Sequence, residues 1–197
     1  MKLLPIVEGE GDLAAVPALV RHVLAAHERF DVELLPAQRR GEWPKVKRQF
    51  DRYFQAAALE RAPVLWILDF DCDECVSVND ERSWAAERAR VLDPGIPFDI
   101  CFMVKEFETL FLADEHTTRA AFPDIPADLP FPMDPEAIRD AKGWLSWARP
   151  KGAAYKPTMH QAKLASQVDI KALRERSPSF IRFEQSLLGL LKSGAVQ

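Results

Sequence analysis

Glu8, Glu10 and Asp12 fall within five positions, directly after the apolar run Leu3-Leu4-Pro5-Ile6-Val7. Asp69, Asp71, Asp73 and Glu74 repeat the plan after Val64-Leu65-Trp66-Ile67-Leu68, and Glu106 and Glu108 follow Phe102-Met103-Val104. Clustered carboxylates raise one another's pKa, so such a group calls for a counter-charge. A divalent cation with oxygen ligands supplies one. Magnesium binds through a few carboxylates, keeps waters and accepts a phosphate oxygen. In Asp69-Phe70-Asp71 the alternation turns both acids the same way while the chain is extended. Carboxylates that hold magnesium suit phosphoryl or phosphodiester chemistry. Taken singly, each acid is also accounted for as a helix cap or a solvated loop residue. That simpler account fits Glu10, Asp73 and Glu74 best.

The elements that must carry these acids are readable from hydrophobic pattern. Residues 2–7 read as a buried strand. From 13 to 29, Val16, Leu19, Val20, Val23 and Leu24 recur at helical spacing, with Asp12 as candidate N-cap and Pro17 awkwardly deep unless the regular helix starts later. Residues 31–35 read as a second strand. Trp43, Val46, Phe50, Tyr53, Phe54 and Ala57 trace one face of a second helix. Residues 63–68 are continuously apolar, as a central parallel strand covered on both faces should be. A helix over 80–92, a strand over 97–104 and a helical turn in Lys105–Ala113 follow. This alternation predicts an α/β fold: a Rossmann-like parallel sheet of about four strands flanked by helices. In such sheets ligands collect beyond the carboxyl ends of the strands, which is where Glu8, Asp69 and Glu106 fall.

Domain organisation is read as residues 1–120 for the metal-binding body, 121–135 for a proline-rich linker or loop wrapped on it, and 136–197 for a helical, basic C-terminal extension. Asp134-Pro135 and Ser177-Pro178 each offer an N-cap with proline at the first helical position. Phe180, Phe183, Leu187, Leu190 and Leu191 form one apolar stripe on the last helix. The formal net charge of -4 conceals a polarity: residues 1–134 hold 25 acids and 15 bases, residues 135–197 hold 5 acids and 11 bases. Two solvated faces that attract one another explain this; so does a phosphate-binding surface beside a cation-binding one.

No apolar run approaches the roughly 18 residues of a membrane span, and the N-terminus has no signal-peptide pattern. The expected location is the cytoplasm, with no membrane partner. Cys72, Cys75 and Cys101 are an odd count, which argues against a disulfide framework. Cys72-Asp-Glu-Cys75 has the spacing of one half of a zinc site, but no second Cys or His pair supports it. The expectation is reduced thiols.

These residues carry a resemblance. Val7-Glu8-Gly9, with Asp12 four positions after the glutamate and Val16-Pro17 beyond, resembles the first motif of Toprim domains, especially the overcoming-lysogenization-defect (OLD) nuclease type. Leu68-Asp69-Phe70-Asp71 resembles the Toprim Asp-x-Asp motif. Val104-Lys105-Glu106-Phe107-Glu108, followed by Leu110-Phe111-Leu112, resembles a stretch of a Toprim-like family of unknown function, the domain family numbered 4276. The segment from Tyr155 to Leu191 is similar to the end of that family. The resemblance implies a Toprim-like fold binding Mg2+ or Mn2+. Its metal ligands would be Glu8, Asp12, Asp69 and Asp71, with Glu106 or Glu108 completing the set and Glu106 nearer the strand end. Lys105 would stabilise charge on the reacting phosphate, and Glu8 could add acid–base work. Phage defence enters by the same association.

Two departures matter. No Gly-x-x-x-x-Gly-Lys-Ser/Thr occurs, so an ATPase would have to be a separate subunit. Neither Tyr53 nor Tyr155 lies in an acidic motif, which argues against strand breakage and rejoining. Basic residues that could meet nucleic acid without reading sequence are Arg39, Arg40, Lys45, Arg48 and Arg52 around the second helix, and Arg149, Lys151 and Lys156 in the tail. An outward solvated face explains them equally. His160 reads as a surface or capping residue.

The leading expectation is a metal-dependent nuclease acting on DNA or RNA. A non-catalytic Toprim-like binding or regulatory subunit of an ATPase is the alternative from a different class. A haloacid-dehalogenase-like phosphatase, with Asp69 as nucleophile, is a third; it lacks the Gly-Thr that should follow and leaves Glu8 unexplained. A homodimer stays open.

Overall fold

The computed structural model describes residues 1–72 and 75–193. Asp73 and Glu74 lie outside the described residues. The body runs β1 (Lys2–Val7), α1 (Asp12–Ala26), β2 (Glu33–Leu34), β3 (Gln38–Arg39), α2 (Trp43–Arg48), α3 (Phe50–Ala58), β4 (Val64–Phe70), α4 (Val78–Leu92) and β5 (Phe98–Val104). The strands are parallel in the order β2-β1-β4-β5, and β3 also pairs with β1. Because Ile6 and Val7 pair with β4 on one edge, β3 continues the β2 edge on the other. Pro5 explains the gap between them. Leu4 donates toward β4, so the missing N–H of Pro5 falls on the opposite edge, where the ladder is interrupted.

The expected parallel sheet is therefore present, with two differences. The strand expected over 31–35 keeps only Glu33 and Leu34, and β3 was not foreseen. The single helix expected over 43–57 is two, because Gln49 leaves helical geometry at φ -119°, ψ 17°. The break keeps both apolar faces on one core: Trp43 and Val46 from α2, Phe50, Phe54 and Ala57 from α3. Asp12 is the first residue of α1, with Gly11 at the N-cap position and Pro17 buried inside the helix.

β4 is the centre of the sheet, and Val64 through Leu68 are all buried. Leu65 and Ile67 enter the core shared with α1, while Val64, Trp66 and Leu68 enter the one shared with α2, α3 and α4. This is the two-faced burial that a continuous apolar run demands.

After β5 come α5 (Thr109–Ala113), α6 (Glu115–Ala121), a 3-10 turn over Pro135–Ala137, α7 (Ala141–Trp147), α8 (Pro157–Ala165), α9 (Ile170–Arg176) and α10 (Pro178–Ser193). Ser177 caps α10 as expected, its Oγ accepting the Phe180 N–H at 3.1 Å, and the stripe of Phe180, Phe183, Leu187, Leu190 and Leu191 is buried. Asp134-Pro135 starts only the 3-10 turn, and Asp134 makes no side-chain cap. Residues 121–135 are tied to the body by arginines: Arg119 donates to the carbonyls of Pro126 and Leu129, Arg176 to those of Ala113 and Pro132. α8 packs on α1 and α10 packs on β5. A Cβ on Gly11 would stand 2.7 Å from Pro157 Cβ and meet Gln161, so glycine is what lets α8 close on the start of α1. Among the described residues no helix is long and apolar enough to cross a membrane.

The cysteines correct the expectation of reduced thiols. Cys72 and Cys75 are joined by a disulfide, their Cα atoms 5.5 Å apart, while Cys101 is free and buried. Compartment arguments from composition cannot see that the Cα atoms of Cys72 and Cys75 lie within bridging range. The native protein, treated with iodoacetamide without reductant, should take up no label. After mild reduction it should take up two, at Cys72 and Cys75, read by mass spectrometry. Uptake at both positions before reduction would count against the bridge.

Candidate metal and phosphate site

Glu8 follows β1, Asp69 lies in the last turn of the pleat of β4 with Asp71 just beyond it, and Lys105 and Glu106 follow β5. Parallel strands end at one edge, so three distant segments converge there. The Asp69 N–H donates to Glu8 Oε2 at 3.2 Å. The Phe107 N–H donates to Asp69 Oδ1 at 2.8 Å. Lys105 has φ +68°, a left-handed backbone that costs a non-glycine residue about 1–3 kcal/mol. The turn it makes brings Glu106 and the Phe107 N–H back over the end of β4.

Glu8, Asp69, Asp71, Lys105 and Glu106 line one hollow of about 290 Å³. Asp12 fronts a neighbouring hollow of about 270 Å³, which shares Glu8 and Asp69 with the first. Asp12 is braced there: Oδ2 accepts the Gly9 N–H at 2.8 Å and Oδ1 accepts Gln161 Nε2 at 2.6 Å. Another hollow, lined by Met1, Lys2, Arg61 and Asp93, sits at the far edge of the sheet and has no acid cluster.

The residue that sequence reasoning missed is Lys142, at the start of α7. Its Nζ lies 3.5 Å from Asp69 Oδ2, 3.2 Å from Glu106 Oε1 and 3.2 Å from Glu108 Oε2. Its own N–H also donates to Glu106 Oε2 at 3.0 Å. Glu108, expected near the metal, is fully buried behind Lys142 and accepts the Tyr155 hydroxyl at 3.2 Å. Asp71 is more open. Lys105 Nζ reaches it at 3.5 Å and Arg139 Nε at 3.2 Å.

Burial pushes the Glu8 carboxyl up to about 7, helped by Asp12 and opposed by the Asp69 N–H and Lys142. Burial also pushes Glu108 up to about 7 against the pull of Lys142, and raises Asp69 well above the carboxylate range. For Lys142, burial works to lower the pKa, but Asp69, Glu108 and Glu106 outweigh it and raise it. Burial is the largest cause for all three carboxyls and repulsion from neighbouring acids adds to it, so further positive charge would favour their ionised forms.

The donors are all hard oxygens, which suits magnesium or manganese and not softer metals. Among the described residues no three of these groups converge tightly enough to hold an ion by themselves. That arrangement still fits magnesium, which uses one or two carboxylates and completes its shell with water and phosphate.

The other predicted contacts divide. Arg39 is paired with Glu10 at 3.1 Å, Lys45 with Glu42 at 3.1 Å, and Arg40 lies over the Tyr53 ring and bonds Gln38. Arg149 is 13% exposed, paired with Asp124 and stacked on Phe122. Arg48, Arg52, Lys151 and Lys156 are exposed. His160 is a capping residue, its Nδ1 accepting the Lys156 N–H at 2.9 Å.

Fold and site together define an α/β protein with an acidic, lysine-bridged cluster beyond the carboxyl ends of a parallel sheet. The chain belongs to the family described as "Domain of unknown function (DUF4276)", whose family profile matches residues 7–188. Among solved structures it is similar to the C-terminal region of the Xanthomonas campestris pv. campestris OLD protein, at 12% identity and a TM-score of 0.47, with 98% of this chain and 97% of that one covered. It is likewise similar to the C-terminal region of the Burkholderia pseudomallei OLD protein, at 12% identity and a TM-score of 0.45, with 97% of each covered. No curated protein matches the chain.

Proposed function

We propose that this chain is a Mg2+- or Mn2+-dependent nuclease of Toprim, OLD-like type that hydrolyses phosphodiester bonds in DNA or RNA. The observation that carries this reading is the hollow where Glu8, Asp69, Asp71 and Glu106 meet Lys105 at the carboxyl edge of the sheet. Glu8, Asp69 and Asp71 would hold the cation, with Asp12 beside them. A bound cation would polarise the phosphate and activate water. Lys105, at the open rim beside Asp71, would set positive charge against a phosphate oxygen. Lys142 would orient Asp69 and Glu106 from behind.

The test is cutting of plasmid DNA and of single-stranded RNA with manganese or magnesium, against chelator and against a Glu8→Ala/Asp69→Ala protein. Cutting by the parent alone, abolished by chelator, is the expected result. Equal cutting by the double variant would sink the proposal.

A second reading has its own observation. Lys142 already contacts Asp69, Glu106 and Glu108, as a resident counter-charge would in a non-catalytic subunit of an ATPase. On that reading neither protein cuts, and both capture the same ATPase partner.

A further inference from the structure

A second hollow, of about 560 Å³, lies between the junction of α2 with α3 and the flank of α4, and four of its lining residues are cationic: Lys47, Arg48, Arg52 and Arg88. Two of these are committed. Lys47 Nζ is 2.7 Å from the buried carboxylate of Glu81, and Arg88 Nε is 2.7 Å from Asp51. Arg48 and Arg52 are exposed and form no ion pair among the described residues. In a chain of net charge -4 this is a local reversal of sign. It selects for an anion.

The same hollow has an aromatic wall. Trp84 is 38% exposed, and a half-open indole offers the apolar ring and polar tip that suit an interface. It is braced by Phe50 at 5.3 Å and Trp43 at 6.0 Å between ring centroids, both edge to face, and by Lys47 Nζ 5.0 Å over its ring. Trp43 in turn donates from Nε1 to Glu81 at 2.9 Å. The indole is thus held by its neighbours, with the Lys47 ammonium over its ring, and its exposed part lines the hollow.

α2 joins the two hollows. Its first residues, Trp43 and Pro44, line the acidic site beside Asp71; its last, Lys47 and Arg48, line this one. Six helical residues span roughly 9 Å, a distance that a strand lying in the acidic site covers within a few nucleotides. We propose that this hollow takes an unpaired nucleotide of a single-stranded nucleic acid, with a backbone phosphate on Arg48 and Arg52 and a base against Trp84, while the phosphate to be cut lies at the acidic site. The inference rests on the nuclease reading for that last clause. A base inside a duplex is stacked and cannot enter a concavity without leaving its stack, whereas any unpaired base offers a face to an aromatic.

The test is binding of labelled oligothymidylate by fluorescence anisotropy, in chelator so that nothing is cut, with duplex DNA of equal length and thymidine monophosphate as comparisons. Arg48→Glu/Arg52→Glu is the main variant, since both side chains are exposed and form no ion pair among the described residues, so the fold should be untouched. Trp84→Leu is the second, checked for an unchanged unfolding transition. The expected result is at least a tenfold loss of oligothymidylate affinity for the arginine pair, with a salt dependence shallower by about one ion per lost phosphate contact. Trp84→Leu should weaken the oligonucleotide without changing the salt dependence. Unchanged affinity in the arginine pair overturns the inference, as does duplex bound as tightly as single strand, or monophosphate bound as tightly as oligonucleotide. The two readings fail separately. A parent that cuts while the arginine pair binds normally loses this hollow and keeps the nuclease; a parent that never cuts but binds oligothymidylate through Arg48 and Arg52 does the reverse.

Discussion

Asp69→Asn is expected to abolish cation-dependent cutting, by about 10³-fold or more in rate, and to leave the protein as resistant to heat as the parent in chelator. The reason for the magnitude is that Asp69 fronts both acidic hollows, so removing its charge weakens every arrangement in which a cation could be held there. Loss of one preorganised electrostatic group alone costs about 10²–10³ in rate, and a weakened metal adds to that. The reason stability should survive is local. The amide oxygen can still accept the Phe107 N–H that now goes to Asp69 Oδ1. Burial already disfavours the ionised carboxylate, whose pKa is raised well above the ordinary range, so the neutral amide removes a repulsion with Glu8 even as it gives up the contact with Lys142. Cutting of a labelled oligonucleotide, with the unfolding midpoint of both proteins at about pH 8, checks the two halves together. A variant that loses activity only because it melts early would refute the account, and a variant that cuts normally would remove Asp69 from the site.

Much of this site could be read from the chain because each acid follows a strand. Val64 to Leu68 had to be central since no residue in that run tolerates water, and a central parallel strand fixes where its carboxyl end lies. Glu8, Asp69 and Glu106 then shared an edge before any contact was known. Lys142 had no such signal. It sits 73 residues from Asp69, in a seven-residue helix whose sequence, Ala-Lys-Gly-Trp-Leu-Ser-Trp, looks like any exposed turn. Only packing of the segment after the proline-rich stretch delivers its ammonium to the acids. The choice between Glu106 and Glu108 likewise depends on local packing that the sequence pattern does not show. Glu108 stands two positions after Glu106, but α5 begins at Thr109, and the turn into it sends Glu108 inward to Tyr155 while Glu106 faces the hollow. The basic residues near α2 were all visible, but charge alone does not say which are already paired. Arg39 and Lys45 have carboxylates of their own, and Arg48 and Arg52 stand out only once those pairs are seen. The helix break at Gln49 left no mark, since the apolar pattern runs through it unbroken.

Lys142→Met is expected to be the most destabilising change at this edge, and its cost should depend on pH. The variant keeps the length of the side chain and deletes the ammonium that, among the described residues, bridges Asp69, Glu106 and Glu108. Breaking a fully buried ion pair costs about 3–5 kcal/mol. Lys142 is 38% exposed, so solvent screens part of that, and about 2–4 kcal/mol is expected at pH 8 in chelator. For a chain of this size that is a fall of roughly 5–15 °C in the unfolding midpoint. The sign of the pH dependence follows from the acids, not from the lysine. Lysine's folded pKa is raised, so its contribution is intact at every pH below its ordinary value near 10.4 and does not change between about 5 and 8. Glu8 and Glu108 titrate at about 7 in the folded protein against 4.5 ordinarily. In that window the folded state holds protons that the unfolded state has released, so stability falls as pH rises. Lys142 lowers both values, and without it they move further up. The deficit of the variant should therefore be largest near pH 8 and shrink toward pH 5.5. Millimolar manganese at pH 8 should recover more of the midpoint in the variant than in the parent, because a divalent ion then replaces an ammonium that the parent still has. Midpoints of the two proteins within a degree or two at pH 8 would mean that the lysine is not the counter-charge of this cluster. A deficit that manganese leaves untouched would mean that the carboxylates, once freed of it, do not take a metal.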